Sequence, residues 1–86
     1  MNQLEFALIG NASLALEAAR NLTGRGHVLR SFTVEDAGLA EAARAQGLPV
    51  GPVVACDYLL SVANLAVIPK QVLALARRGA VNFHDG

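Results

Sequence analysis

The chain has 86 residues with seven basic side chains against seven acidic ones, so no net charge draws it towards nucleic acid or an anionic membrane. One domain is the ceiling at this length, and a domain so small buries only about 60–65% of the surface its unfolded chain would expose. Hydrophobic residues make up 53% of the chain, mostly Ala, Leu and Val, which excludes disorder and suits helices packed on a buried parallel sheet.

The N-terminus has no basic stretch ahead of its apolar run, which argues against a signal peptide. The longest apolar region, 58–69, is broken by Ser61 and Asn64 and falls short of the roughly 20 apolar residues a bilayer-spanning helix needs. No membrane partner and no nucleic acid are expected. The single cysteine, Cys56, cannot close an intrachain disulfide. With only two distant histidines beside it, no metal site is expected. A reduced, cytoplasmic setting and a buried thiol follow.

In chain order the pattern alternates strand and helix. Residues 4–9 form an apolar run ending at Gly10 and Asn11, which predicts a strand and its turn. Residues 13–22 place Leu14, Ala15, Ala18, Ala19 and Leu22 at helical spacing, with Thr23 and Gly24 as the stop. Residues 28–34, entered through Gly26 and His27, are rich in β-branched and aromatic side chains and predict a second strand. Glu35 and Asp36 suit the start of a helix that Gly47 ends. The segment 48–52, with two prolines and a glycine, reads as a loop, and 53–55 as a short extra piece. Residues 58–63 are almost purely apolar, as in a strand covered on both faces. Pro69 opens a third helix that runs through 71–76 and ends at Gly79. Arg77 and Arg78 then fall at its C-terminus, where cations are favoured. Residues 80–84 form the last strand. The fold class is α/β, a Rossmann-like open parallel sheet of about four strands with three helices.

Ligands gather at the carboxyl ends of parallel strands. The turn 10–13 lacks the second and third glycines of a dinucleotide fingerprint, so NAD binding is not expected and an ordinary N-capped turn is. Asn82 and His84 are two apart on a strand, hence on one face and about 6.6 Å apart along it. An amide able to donate to an oxyanion beside an imidazole able to move a proton near neutral pH is the pairing that acyl transfer to an amine requires. Structural roles, packing and capping, are expected for His27 and Tyr58.

The stretch from Asp57 through Pro69, the helix with Val72 and Leu73, and then Gly79-Ala-Val-Asn-Phe-His-Asp-Gly86 resembles the folate-dependent formyltransferases, which include the methionyl-tRNA and glycinamide ribonucleotide enzymes. The Asn-Phe-His-Asp-Gly version looks most like the formyltransferase-like domains of multidomain peptide or polyketide synthases. The resemblance is specific over 57–86 and looser over 4–34. It implies that residues 1–86 are the N-terminal part of such a domain, with 10-formyltetrahydrofolate as formyl donor and a small-molecule or carrier-bound amine as acceptor. It assigns Asn82 to the formyl carbonyl and its oxyanion, and His84 to the acid/base step. Asn64, Leu65, Ala66 and Val67 would meet the pterin ring, with Val72 lining the same pocket.

Two departures accompany this. Asp85 and Gly86 stand where many members have Pro or Gly and then Ser, and the family's downstream catalytic Asp has no counterpart in these residues. The 86 residues alone are therefore expected to be inactive. The alternatives are a non-catalytic formyltransferase-like docking module, or an unrelated small α/β binding domain. An uncovered edge at the last strand predicts self-association.

Overall fold

A computed structural model describes residues 3–62 and 67–83. The elements are β1 (Glu5–Gly10), α1 (Ser13–Gly24), β2 (Val28–Thr33), α2 (Ala37–Ala45), β3 (Cys56–Val62), α3 (Lys70–Leu73) and β4 (Ala76–Phe83). All strand pairs are parallel, in the order β2-β1-β3-β4. The expected Rossmann-like α/β class with four strands and three helices is the architecture observed.

Strand β1 is central because it is apolar on both sides. Phe6 and Leu8 join one buried cluster with Phe32 and Val62, under Ala15 and Ala19 of α1 and Ala43 of α2. Ala7 faces the other way and packs with Cys56 and Leu59, covered by Val53 and by Val72 of α3. The small alanines let α1 approach the sheet closely. Gly10 is part of that fit, since a Cβ there would stand 2.5 Å from the Ala15 Cβ and 2.6 Å from the Val62 carbonyl oxygen.

Helix α1 ends at Gly24, at the Thr23–Gly24 stop expected from sequence, but Gly24 is not the left-handed residue. The left-handed turn falls on Gly26 (φ 86°), where the His27 N–H closes onto the Leu22 carbonyl at 3.1 Å. The start of α2 is as expected, with the Asp36 carboxylate accepting from the Leu39 N–H at 2.8 Å. Gly47, at φ 78°, closes it.

The segment after α2 does more than loop. Val50 makes a parallel bridge to Phe32 at the outer edge of β2. The chain then crosses the face opposite α1 as an extended strap. The Gly51 carbonyl accepts from Thr33 Oγ1 at 2.7 Å, and the Val54 N–H donates to Ser31 Oγ at 3.4 Å. The connection from β2 to β3 thus lies on α2 on one face and on the strap on the other.

The largest departure from the sequence reading concerns residues 74–79. Helix α3 is a single turn, and Arg77, Arg78 and Gly79 belong to β4 rather than to a helix end. The pairing with β3 shifts by one residue between Cys56–Ala76 and Tyr58–Gly79, so β4 carries an extra residue at the two arginines. Gly79, at φ 144°, is the glycine that such a bulge favours, not a helix stop. The bulge lets both arginines turn to one carboxylate: Asp57 Oδ1 lies 3.2 Å from Arg77 Nη2 and 3.8 Å from Arg78 Nε. Among the described residues, no helix is long and apolar enough to cross a membrane.

Candidate functional site

The order β2-β1-β3-β4 places the carboxyl ends of β1 and β3 side by side, the position where open parallel sheets bind ligands. The turn after β1 is organised differently from the N-capped turn expected there. The residue ahead of α1 is Ala12, which has no side chain to cap with. Asn11 instead reaches across to the loop after β2, its Oδ1 accepting from the backbone N–H groups of Glu35 and, at 3.2 Å, Asp36. One amide thereby ties together the ends of β1 and β2 and the start of α2. The sequence gives no local sign of this, because the contact spans 24 positions.

Beside these ends, on the face of the strap and α3, an open cavity of about 340 Å³ is walled by Ile9, Thr33, Val53, Val67 and Val72, with Glu35 at its polar side. Its size falls within the range of small-molecule sites, roughly 300–1,000 Å³. Val67 and Val72, both expected at a folate pocket, therefore line one cavity. Val67 stands at its mouth, 93% exposed. Asn64, Leu65 and Ala66 lie outside the described residues, as does His84.

Asn82 is reached through the sheet register. Thr33 is opposite Ile9, Ile9 opposite Ser61, and Ser61 opposite Asn82, and residues directly opposite share a face. This row runs across the strap-and-α3 side, so Asn82 shares the face of the cavity, two strands (about 9.6 Å) from Ile9. Asn82 does not itself line the cavity wall. Its neighbour Phe83 turns to the other face, where a second open cavity of about 450 Å³ lies between α1 and β4. Among the described residues, none of the expected site residues lines that second space.

Ser61 was missed by the sequence reading. It is 2% exposed, and its hydroxyl has no hydrogen-bond partner among the described residues. A buried hydroxyl left unpaired costs about 1–3 kcal/mol. It lies between Ile9 and Asn82, where the cavity's row continues to the edge strand. The signal available in the sequence was a serine set between Leu60 and Val62 in the apolar second half of the strand. The strap residue Val53 and the rim residue Glu35 were likewise legible only once the chain had folded over the sheet.

The remaining chemistry-bearing residues serve structure. Burial pushes the Cys56 thiol above its ordinary pKa, outweighing the backbone contact at Ala7 and the nearby Arg77 charge, so it is a packed core group rather than an activated nucleophile. The His27 Nδ1 accepts from the Leu4 N–H at 3.4 Å, and its ring meets Phe6 edge-on at 5.4 Å. Tyr58 stacks on the same ring at 6.0 Å.

The amino end of the sheet holds an ionic cluster. Glu5 pairs with Arg77 at 2.7 Å and with Arg30 at 3.6 Å, and Asp57 Oδ2 accepts from the Glu5 N–H at 2.9 Å. That backbone N–H, then the Arg77 guanidinium, hold the Asp57 carboxyl below its ordinary pKa, against the partial desolvation that opposes them. Every cation of this cluster has a carboxylate partner.

No family model matches the chain, and no curated protein matches it either.

Proposed function

We propose that these residues form the folate-binding side of a formyl-transfer site, the complete domain passing a formyl group from 10-formyltetrahydrofolate to an amine. The observation that carries this reading is the shared face: Asn82 stands in one cross-strand row with Ile9, which walls the same cavity as Val67 and Val72. A flat ring with donor and acceptor edges suits a cleft with apolar walls and a few polar groups at its margin. Thr33 and Glu35 supply such groups here, and Ser61 adds an unused hydroxyl in the same row.

In this reading the Asn82 amide N–H donates to the formyl oxygen as the amine adds to the carbon and charge builds on that oxygen. His84 takes the proton the amine loses. The bond from carbon to the donor nitrogen then breaks, and that nitrogen gains a proton. The activity belongs to a domain that also carries the downstream Asp the resemblance calls for. A second reading, a non-catalytic formyltransferase-like docking module, is favoured by the exposed apolar side chains of Val81 and Phe83 on the opposite face.

The test is a titration with a folate analogue that keeps the pterin ring but has no transferable formyl group, followed by amide NMR. Saturable shifts are expected at Ile9, Thr33, Val53 and Val72, abolished by Val72→Glu and retained by Asn82→Ala. In the complete domain, Asn82→Ala is expected to lower the transfer rate by about 10²–10³-fold. Absence of shifts at millimolar analogue, or shifts centred on Leu14, Leu22 and Phe83 instead, would remove the folate reading.

A further inference from the structure

We propose that the cavity between the strap and α3 receives hydrogen-bond donors only, and that Glu35 selects a flat apolar ligand with two N–H groups along one edge. The inference deepens the folate reading and rests on it for the identity of the ring, while the demand for donors comes from the cavity itself.

Among the described residues, the polar side chains on the wall of the 340 Å³ cavity are Thr33 and Glu35. The Thr33 hydroxyl already gives its proton to the Gly51 carbonyl at 2.7 Å, so lone pairs are what it has left for a ligand. A carboxylate such as Glu35 accepts and does not donate. The backbone repeats the pattern. Pro52 and Pro69 line the cavity and carry no N–H. The Val72 N–H is given to the Pro69 carbonyl at 3.0 Å, and the Glu35 N–H to Asn11 Oδ1. A ligand carbonyl or carboxylate would leave water to face these lone pairs and find no replacement hydrogen bond. An N–H edge would find one.

Glu35 is the charged member of that wall. Among the described residues it takes part in no ion pair, whereas Glu5 and Asp57 at the amino end of the sheet are both paired with arginines. Its backbone is nevertheless fixed. Asn11 Oδ1 accepts from the N–H groups of Glu35 and, at 3.2 Å, Asp36, and the Asp36 carboxylate caps α2 through the Leu39 N–H at 2.8 Å. An uncommitted carboxylate on an anchored backbone suits two parallel N–H groups, one to each oxygen. Asp36 adds a second negative charge at the same strand end, which disfavours anionic ligands further.

A pterin ring carries such a pair of donors, its N3–H and its 2-amino group, on one edge. With that edge at Glu35, the rest of the ligand extends along the row Thr33, Ile9, Ser61 and Asn82. From Thr33 to Asn82 this row crosses three strand spacings, about 14 Å. Glu35 thus decides which way round the ring lies, and the end bearing the one-carbon group is directed towards Asn82. Its role is specificity, since it stands at the far end of the row from the reacting carbon.

The test is an amide NMR titration of the chain with three probes. Benzamidine presents two parallel N–H groups on an apolar ring, benzoate is its acceptor-only counterpart of similar shape, and 6-methylpterin carries the donor edge of the folate ring. Benzamidine and 6-methylpterin should shift Ile9, Thr33 and Val72, and benzoate should not. Glu35→Gln, which keeps the side-chain size and the backbone bond to Asn11, should weaken both by at least about tenfold, the loss of one charge-assisted hydrogen bond. Glu17→Gln, beside the other cavity, should change neither. Benzoate bound as tightly as benzamidine, or benzamidine binding untouched by Glu35→Gln, would overturn the inference. Pterin binding that ignores Glu35→Gln would overturn it as well and leave the folate reading standing. Benzamidine held through Glu35 without any pterin binding would uphold the donor requirement and remove the folate reading. No binding of any probe at millimolar concentration would remove both.

Discussion

Phe32 and Phe83 lie near opposite edges of the same sheet, and both face the α1 side. Phe32 is wholly buried, because α1 and α2 cover it and the Val50 bridge pairs with its backbone. Phe83 is half exposed beside an open cavity, since α1 stops short of β4 and α3 lies on the other face. The same side chain in the same kind of strand therefore carries very different energy. What is layered over a strand decides its contribution more than the strand's own composition does.

The largest effect should separate these two phenylalanines. Phe32→Ala is expected to cost about 3–5 kcal/mol, the range for emptying a packed aromatic site, enough to unfold much of a domain this small. Phe83→Ala, measured at a concentration where the chain is monomeric, should cost less than about 1 kcal/mol. Urea unfolding followed by far-UV circular dichroism reads both. Equal losses would mean that the β4 edge is packed as well as the β2 edge, and the contrast would fall.

A smaller effect tests how tightly the covered half is fitted. Gly10→Ala is expected to destabilise by about 1–3 kcal/mol through overpacking, since its Cβ would overlap Ala15 and the Val62 carbonyl. Gly24→Ala, within helix α1 and with nothing within 4 Å of its Cβ position, should instead be neutral or stabilising by up to about 1 kcal/mol. Matched unfolding midpoints for the two variants would show that α1 can slide away from β1 and β3.

The smallest effect concerns how β4 is fastened. Arg77 joins Asp57 of β3 to Glu5 of β1, so the thinly covered strand is held at its amino end by ions rather than by core. The Asp57 carboxyl is held below its ordinary pKa of 3.8. Its contribution is therefore complete above that value and is lost as pH falls through the lower, folded value. Asp57→Asn should be less stable than the parent chain near neutral pH, and the gap should close on acidification below pH 3.8. High salt should shrink it as well, because the partners are solvent-exposed. A gap that stays constant across that range would assign the loss to geometry at the Glu5 N–H rather than to charge.

Four strands, three helices and their order were legible in the sequence, because each element announces itself locally. The continuous apolar run of β1, the alanines of α1, the Asp36 cap and Gly47 are signals that need no distant partner. Val67 and Val72 could be named in advance through the family resemblance alone, and the fold brings them to one cavity. The reading failed at residues 74–79 because Leu75, Ala76, Arg77, Arg78 and Gly79 carry the same composition as a helix ending on cations and glycine. The carboxylates of Glu5 and Asp57 and the β3 edge outbid that local preference.

What the chain determined by itself is the set of elements and the apolar faces that make them stack, since periodicity and capping act over a few residues. Tertiary structure decided which loop meets which strand end: Asn11 holding the Glu35–Asp36 backbone, Ser61 set between Ile9 and Asn82, the strap crossing Ser31, and β4 laid beside β3. Those relations join residues tens of positions apart. They exist only after the sheet order has placed distant backbones about 4.8 Å from one another.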